Sequence, residues 1–385
     1  GMIEIYVFQK RKYRLLFAGL TLLFLVLAGR LVWLMIFSSE ELGKKALDVE
    51  QRERSIKAAR GVIYDRNGVV LADNQPVCTI SVIYSQVTEP EKVIRLLSEK
   101  LSMEEEEVRS KVEKVSSREK IKSNVPKNVA DEIREASLSG VKVDEDYRRY
   151  YPYGRLASRV LGFTGADNQG ILGLESRYDS VLKGTDGTIL TLTDFQGVEI
   201  ESAAEERIEP VQGDSLYLSL DYTMQTYVQQ AAEKVLREKQ AKRVSVILMN
   251  PQNGEIYAMV NVPEYDLNEP YTLLSAYAQG EGSENDKLNA MWRNPLISDS
   301  YEPGSTFKIV TAAAALEDGK VSLTDTFHCP GFRIVEDRKI RCHKTQGHGT
   351  ETFREGVMNS CNPVFMDIGA RVGAERMLYY YRKLG

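Results

Sequence analysis

The sequence predicts a multidomain α+β protein: an N-terminal membrane helix, an elongated α/β pedestal, and a second α/β domain whose sheet carries helices on both faces. Three observations carry this. One apolar run of 23 residues, Leu15–Phe37, holds a single charge, Arg30. Two hairpin signals, Asn67-Gly68 and Asn253-Gly254, each sit between apolar stretches. Segments of helical periodicity alternate with these short strands. The chain has 385 residues, more than one core organises, so two or three units are expected.

Composition narrows the function classes. Charged residues make up 27% and hydrophobic ones 43%, which excludes wholesale disorder. A formal net charge of −5 argues against nucleic acid as the main partner, because phosphate binding needs a basic surface. Four Cys in so long a chain cannot make a disulfide-dense scaffold.

At about 1.5 Å per residue, Leu15–Phe37 is long enough to cross a bilayer's hydrocarbon core. Lys10, Arg11, Lys12 and Arg14 precede it, and Glu40 and Glu41 follow. The positive-inside rule makes residues 1–14 a cytoplasmic tail and places the rest outside. The alternative is a cleaved signal peptide with its apolar core at Leu15–Ala28. No clear A-x-A site follows, however, and the apolar run resumes after Arg30. Arg30 either snorkels to the outer interface or faces a partner helix; both readings stay open.

The pedestal is expected over residues 38–212. Residues 38–60 are charged and Gly-poor with a helical pattern, read as a stalk. A hairpin follows around Asn67-Gly68, then a short strand at Val77–Val82. Pro90–Val115 has apolar residues at Val93, Leu96, Leu97, Leu101 and Val108, close to helical spacing. Its Glu104–Glu107 run reads as a solvated face. Asn128–Ala136 is a second helix, and Arg148–Gly154 is turn-rich and aromatic.

The second domain is expected over residues 213–385. Ser215–Leu220 alternates like a strand, and Tyr222–Lys239 is a long helix. Val244–Met249, Asn253-Gly254 and Glu255–Val260 read as strand, tight turn, strand. The hairpin is apolar almost throughout, which predicts a central position covered on both faces. Pro303-Gly304-Ser305 opens an Ala-rich helix that stops at Gly319.

That helix start carries the chemistry. In Ser305-Thr306-Phe307-Lys308 the helical i, i+3 relation sets Lys308 beside the Ser305 hydroxyl. A neutral lysine there takes the serine proton and makes Ser305 a nucleophile, while first-turn N–H groups face a developing oxyanion. S-x-x-K also begins at Ser117, Ser139 and Ser180, where it reads as surface coincidence. Only the Ser305 copy has Pro-Gly before it and an apolar helix after it. Ser360-Cys361-Asn362, an S-x-N, lies 55 residues downstream. There Ser360 could relay a proton to a leaving amine and Asn362 could hold a substrate amide.

With these motifs the chain resembles the class B penicillin-binding proteins, single-pass D,D-transpeptidases that cross-link bacterial peptidoglycan. The resemblance runs through RGVIYDRNGVVLA (Arg60–Ala72), RRYYPYG (Arg148–Gly154), GLESRYDSVLKGTDG (Gly173–Gly187) and LSLDYTMQ (Leu218–Gln225). It continues through NPQNGEIYAMVNVP (Asn250–Pro263), YEPGSTFK (Tyr301–Lys308) and GHGTETFREGVMNSCNPVF (Gly347–Phe365). The paired cysteines of HCPGFRIVEDRKIRC look most like the sporulation and division branch. The resemblance implies Ser305 as the acylated serine, Lys308 as its base, and Ser360 and Asn362 as the second motif. It implies a β-lactamase-like catalytic domain, a dimerisation-type pedestal and no metal or organic cofactor. The implied partners are stem peptides on lipid II-derived glycan strands, β-lactams, a polytopic glycan polymerase and a second copy of the chain. The family's K-T-G strand lies beyond its S-x-N, whereas this chain stops at Gly385, and Lys344-Thr345-Gln346-Gly347 has an inserted Gln. The expectation is a truncated catalytic domain of impaired activity. Two rivals remain: a carboxypeptidase or β-lactamase in which water replaces the amine, and a non-catalytic penicillin sensor or scaffold.

Cys329 and Cys342 flank a hairpin-like segment, and a disulfide across its base is one reading. His328, His343 and His348 cluster nearby, so Zn²⁺ is another, although the spacing is not the common C-x₂₋₄-C pair. Cys78 and Cys361 read as small buried residues.

Overall fold

The structure, a computed structural model, describes residues 15–30, 51–192 and 206–385. Residues 15–30 are helical, with Leu15, Phe17 and Phe24 exposed. No helix among the described residues is long and apolar enough to cross a membrane. The tail 1–14, positions 31–37 of the expected span and residues 38–50 of the expected stalk lie outside the described residues. The chain divides into two compact units between Ser298 and Asp299.

In the first unit the stalk reading meets a correction. β1 (Gln51–Ile56) is a strand, paired antiparallel with β6 (Gly187–Leu192), which also pairs β7 (Glu206–Ile208). A charged helix has little packing to hold it. Here the backbone bonds go to a distant strand instead, and Arg54 pairs with Asp144 at 2.9 Å. β2 (Ile63–Tyr64) and β3 (Val70–Val82) form the Asn67-Gly68 hairpin, as the dipeptide predicts. β3 runs 13 residues, not six, because β4 (Glu119–Pro126) and β5 (Val141–Tyr150) pair along its two edges.

The helical region after β3 is two helices, α1 (Pro90–Leu101) and α2 (Glu105–Val112). Ser102 breaks them in the left-handed conformation, φ 50°. α1 buries Val93, Ile94, Leu97 and Leu101 against the sheet. Each such side chain contributes about 1.5–3 kcal/mol of burial. The Glu104–Glu107 run is exposed, as expected of a solvated face. α3 (Lys127–Glu135) adds Ala130 and Ile133 to the same core.

Three of the sequence motifs meet in one buried network. Arg60 is fully buried. Its Nε donates to Glu175 Oε2 at 2.6 Å, and its Nη1 to Asp179 Oδ1 at 2.7 Å. Arg149 Nε donates to Glu175 Oε1 at 2.6 Å, and the Tyr151 hydroxyl donates to the same oxygen at 3.1 Å. Burial, with the Glu175 carboxylate beside it, holds the Tyr151 phenol well above its ordinary pKa.

β8 (Leu216–Tyr217) adds to β2 in parallel. α4 (Tyr222–Glu238) follows, capped by Asp221, whose side chain accepts from Met224 N. β9 (Val244–Met249) and β10 (Ile256–Val262) form the second predicted hairpin. One face packs on α4 through Ala232, Val260 and Val262. Coverage on both faces is not observed. Ile247, Leu248 and Met249 stay exposed, because β9 is the outer strand of a two-stranded sheet among the described residues.

The second unit opens with a 3-10 turn, Gly304–Phe307, that runs into α5 (Lys308–Glu317). β11 (Thr326–Cys329) pairs with β14 (Gly349–Thr352), and between them β12 (Phe332–Val335) and β13 (Arg338–Arg341) make a hairpin. α6 (Phe353–Met358), α7 (Asn362–Val372) and α8 (Ala374–Lys383) complete it. Thr352 and Glu355 form a reciprocal capping box on α6. Ala314, Ala315, Phe327, Val364 and Ile368 make the core. This core sets the base of α5 against the turn between α6 and α7.

Candidate active site

Pro303 and Gly304 start the 3-10 turn that carries Ser305. The Ser305 side chain is exposed and forms no hydrogen bond with another described residue. Lys308 begins α5 and is half-buried. Its ammonium bonds to the second motif. Nζ donates to the Ser360 carbonyl at 2.8 Å, to Ser360 Oγ at 3.1 Å and to Asn362 Oδ1 at 2.6 Å. An ammonium has three donors, and these three acceptors take all of them. The Phe365 ring lies 5.3 Å from Nζ.

The acceptors are held from both sides. Ser360 sits in the left-handed region, φ 48°, at the tight turn after α6. That turn aims its carbonyl and hydroxyl the same way. Asn362 opens α7, and its Nδ2 donates to the Arg341 carbonyl at 2.9 Å. The amide is thereby oriented with Oδ1 toward Lys308. Burial lowers the Lys308 pKa from its ordinary value, while the Cys342 and Cys361 thiols act in the opposite direction. A lysine that loses its proton more readily can accept one from a hydroxyl, and the Ser360 hydroxyl lies within hydrogen-bond reach.

The structure therefore brings Lys308, Ser360 and Asn362 together and leaves Ser305 one turn before Lys308 with a free hydroxyl. Sequence spacing alone indicated a Ser305–Lys308 contact. The lysine is long enough to reach the half-buried acceptors of the second motif.

The cysteines depart from expectation. No disulfide forms: all four thiols are free and buried. Cys329, Cys342 and Cys361 instead converge with His348, with sulfur and ring-nitrogen atoms all within 4.8 Å of one another. The β12–β13 hairpin brings the ends of the loop together, and the α6–α7 turn inserts Cys361 between them. Cys361 is buried as predicted, yet it is part of a cluster. Cys329, Cys342, His348 and Cys361 all fall within 33 residues, a signal the pairwise spacing concealed. His328 and His343 lie outside that cluster.

Fold and site together define a penicillin-binding protein with a dimerisation domain ahead of a transpeptidase domain, and the chain belongs to that family. Residues 55–218 match the penicillin-binding protein dimerisation domain, and residues 244–385 match the penicillin-binding protein transpeptidase domain. The chain is 38% identical to stage V sporulation protein D of Bacillus subtilis, over 97% of this chain and 56% of that protein. It is 30% identical to the peptidoglycan D,D-transpeptidase MrdA of Acinetobacter baumannii, over 98% of this chain and 59% of that protein. It thus spans little more than half the length of these relatives. Penicillin Binding Protein 2X from Streptococcus thermophilus shares the fold, with a TM-score of 0.69 at 24% identity, over 86% of this chain and 52% of that one.

Proposed function

We propose that the protein is a serine acyl-transferase that cross-links peptidoglycan stem peptides. Ser305 attacks the penultimate D-Ala carbonyl of a donor peptide, a C–N bond breaks, and D-Ala leaves as the amine. An acceptor amine then attacks the acyl-enzyme ester and restores the Ser305 hydroxyl. β-Lactams, which mimic the D-Ala-D-Ala end, acylate the same serine. Lys308 in its neutral form takes the Ser305 proton. Ser360 passes a proton to the leaving amine, and Asn362 holds the peptide amide.

The observation that carries this reading is the triple hydrogen bond from Lys308 to Ser360 and Asn362, one turn after Ser305. It joins two motifs more than fifty residues apart in one proton-handling group. Around it we place a pedestal over residues 38–212 and a catalytic domain over 213–385, with a β-lactamase-like sheet in the intact protein. A single-pass anchor at 15–37 keeps the N-terminus cytoplasmic and the catalytic side outside. The substrate strands come from a membrane glycan polymerase, the natural partner of this anchor and pedestal.

Labelling of the intact protein with a fluorescent penicillin tests the reading. Ser305→Ala abolishes the covalent adduct while leaving the melting transition in place, because the exposed hydroxyl contributes no packing. A stable adduct on Ser305→Ala removes Ser305 as the nucleophile.

A further inference from the structure

The first unit holds a cleft of about 370 Å³ whose lining residues all fall between Lys57 and Tyr271. Cavities of roughly 300–1,000 Å³ are the size that small ligands fill. β4 and β5 contribute Lys120 and residues 146–149, and a loop over residues 163–168 and Tyr271 line the same space. Lys57 ties β5 to that loop: its Nζ donates to the Ala166 carbonyl at 3.0 Å and pairs with Asp146 at 3.4 Å.

Tyr271 is a fixed aromatic platform. Its ring stands edge-on to Phe163, with centroids 5.6 Å apart, and to Trp292, at 5.5 Å. Trp292 Nε1 donates to the Pro270 carbonyl at 2.8 Å and so holds the backbone beside it. Tyr271 nevertheless remains 57% exposed. A ring face carries partial negative charge and attracts the slightly positive C–H hydrogens of a sugar ring. A tyrosine already held by its neighbours loses little freedom on binding.

Charge supplies the other half. Four lining side chains are cationic, Lys57, Lys120, Arg148 and Arg149, and two are anionic, Asp146 and Asp167. Lys57 takes Asp146. The exposed Lys120 ammonium has no partner among the described residues. Arg149 is buried and its Nε bonds to Glu175, yet its Nη2 is left without a hydrogen-bond partner among the described residues. A buried donor at the lining of a cavity is satisfied by an acceptor oxygen on the ligand. Ser123, Asn124 and Thr164 add hydroxyl and amide groups, so the cleft offers polar edges rather than an apolar pocket. That combination suits sugar hydroxyls and a carboxylate better than the apolar side chains of a docked peptide.

We propose that this cleft binds a carboxylate-bearing glycan, with one sugar ring on Tyr271 and the carboxylate met by Lys120, Arg148 and Arg149. Identifying the glycan as a peptidoglycan strand rests on the acyl-transfer reading, in which the substrate strands carry peptides that end in a carboxylate. The cleft retains the polymer, while Ser305 acts on its peptides.

The test is a binding titration of the intact protein after treatment with penicillin, so that an acylated Ser305 takes no part. The probes are soluble uncross-linked glycan strands with their peptides, the same strands stripped of peptides by an amidase, a neutral N-acetylglucosamine tetramer, and hexaglutamate. The strands with peptides bind, and their affinity falls as salt rises. Tyr271→Ala weakens them about tenfold, whereas Tyr271→Phe keeps the ring and the affinity. Lys120→Gln, a change at an exposed side chain, weakens binding and flattens its salt dependence; Lys92→Gln on α1 does neither. Stripped strands that bind equally well place the carboxylate on the sugar, and stripped strands that bind tenfold more weakly place it on the peptide. Absence of strand binding, affinities indifferent to both Tyr271 and Lys120, equal affinity for the neutral tetramer, or equal affinity for hexaglutamate overturns the proposal. Penicillin labelling without strand binding sinks the cleft and leaves the acyl-transfer reading intact. Strand binding without labelling does the reverse.

Discussion

Lys308 Nζ and Asn362 Oδ1 lie 2.6 Å apart, a contact between residues 54 positions distant in the chain. It is the shortest of the three bonds that hold the lysine, and it sets which way the amine points.

Lys308→Ala slows β-lactam acylation by about 10²–10⁴, the usual contribution of a positioned proton-transfer group. Lys308→Arg is nearly as slow, because a guanidinium stays protonated at any working pH. Time courses of fluorescent-penicillin labelling measure both. Near-normal acylation in the Arg variant removes Lys308 as the base.

The acylation rate rises with pH as Lys308 loses its proton. Burial places that rise below the ordinary lysine value of 10.5. Asn362→Asp sets a carboxylate against the ammonium, favours the charged form and moves the rise to higher pH. At neutral pH this variant is slower, and it recovers in alkaline buffer. A pH–rate profile identical to that of the unsubstituted protein contradicts the assignment.

Glu175→Gln removes the charge that two buried guanidiniums share. Arg149 then loses its carboxylate and Arg60 keeps only Asp179, at a cost of about 3–5 kcal/mol. Denaturant unfolding of the first unit shows the loss as a lower midpoint. A change below 1 kcal/mol would mean that water reaches the site.

Gly347→Ala destabilises the second unit by roughly 1–3 kcal/mol, from left-handed strain together with a Cβ facing the Cys329 carbonyl. The midpoint of its thermal transition reads this out. Gly349→Ala is the comparison: its φ is +75°, but nothing lies within 4 Å of its Cβ, so strain acts there without the clash. Equal losses in the two variants would show that the loop-to-loop contact carries no weight.

Much of this protein is written in local pattern. Asn67-Gly68 and Asn253-Gly254 mark both hairpins, and the helix from Lys308 stops before Gly319, as the sequence indicates. Residue type and motif single out Ser305, Lys308, Ser360 and Asn362 as the candidate residues. Such features depend on neighbours within a few positions, where turn chemistry and helical periodicity act directly.

Tertiary structure alone decided the rest. Gln51–Ile56 became a strand because Gly187–Leu192 offered an edge, a pairing across more than 130 positions. Arg60, Arg149 and Glu175 belong to three separate motifs, and only the fold shows that they share one charge network. Lys308 bonds to Ser360 and Asn362, more than fifty positions away, a contact that no local spacing contains. Cys329, Cys342, His348 and Cys361 converge from four elements whose spacing fits no standard metal motif. Long-range pairing, desolvation and the meeting of loops depend on which surfaces the whole chain buries together, and no local window of sequence contains that information.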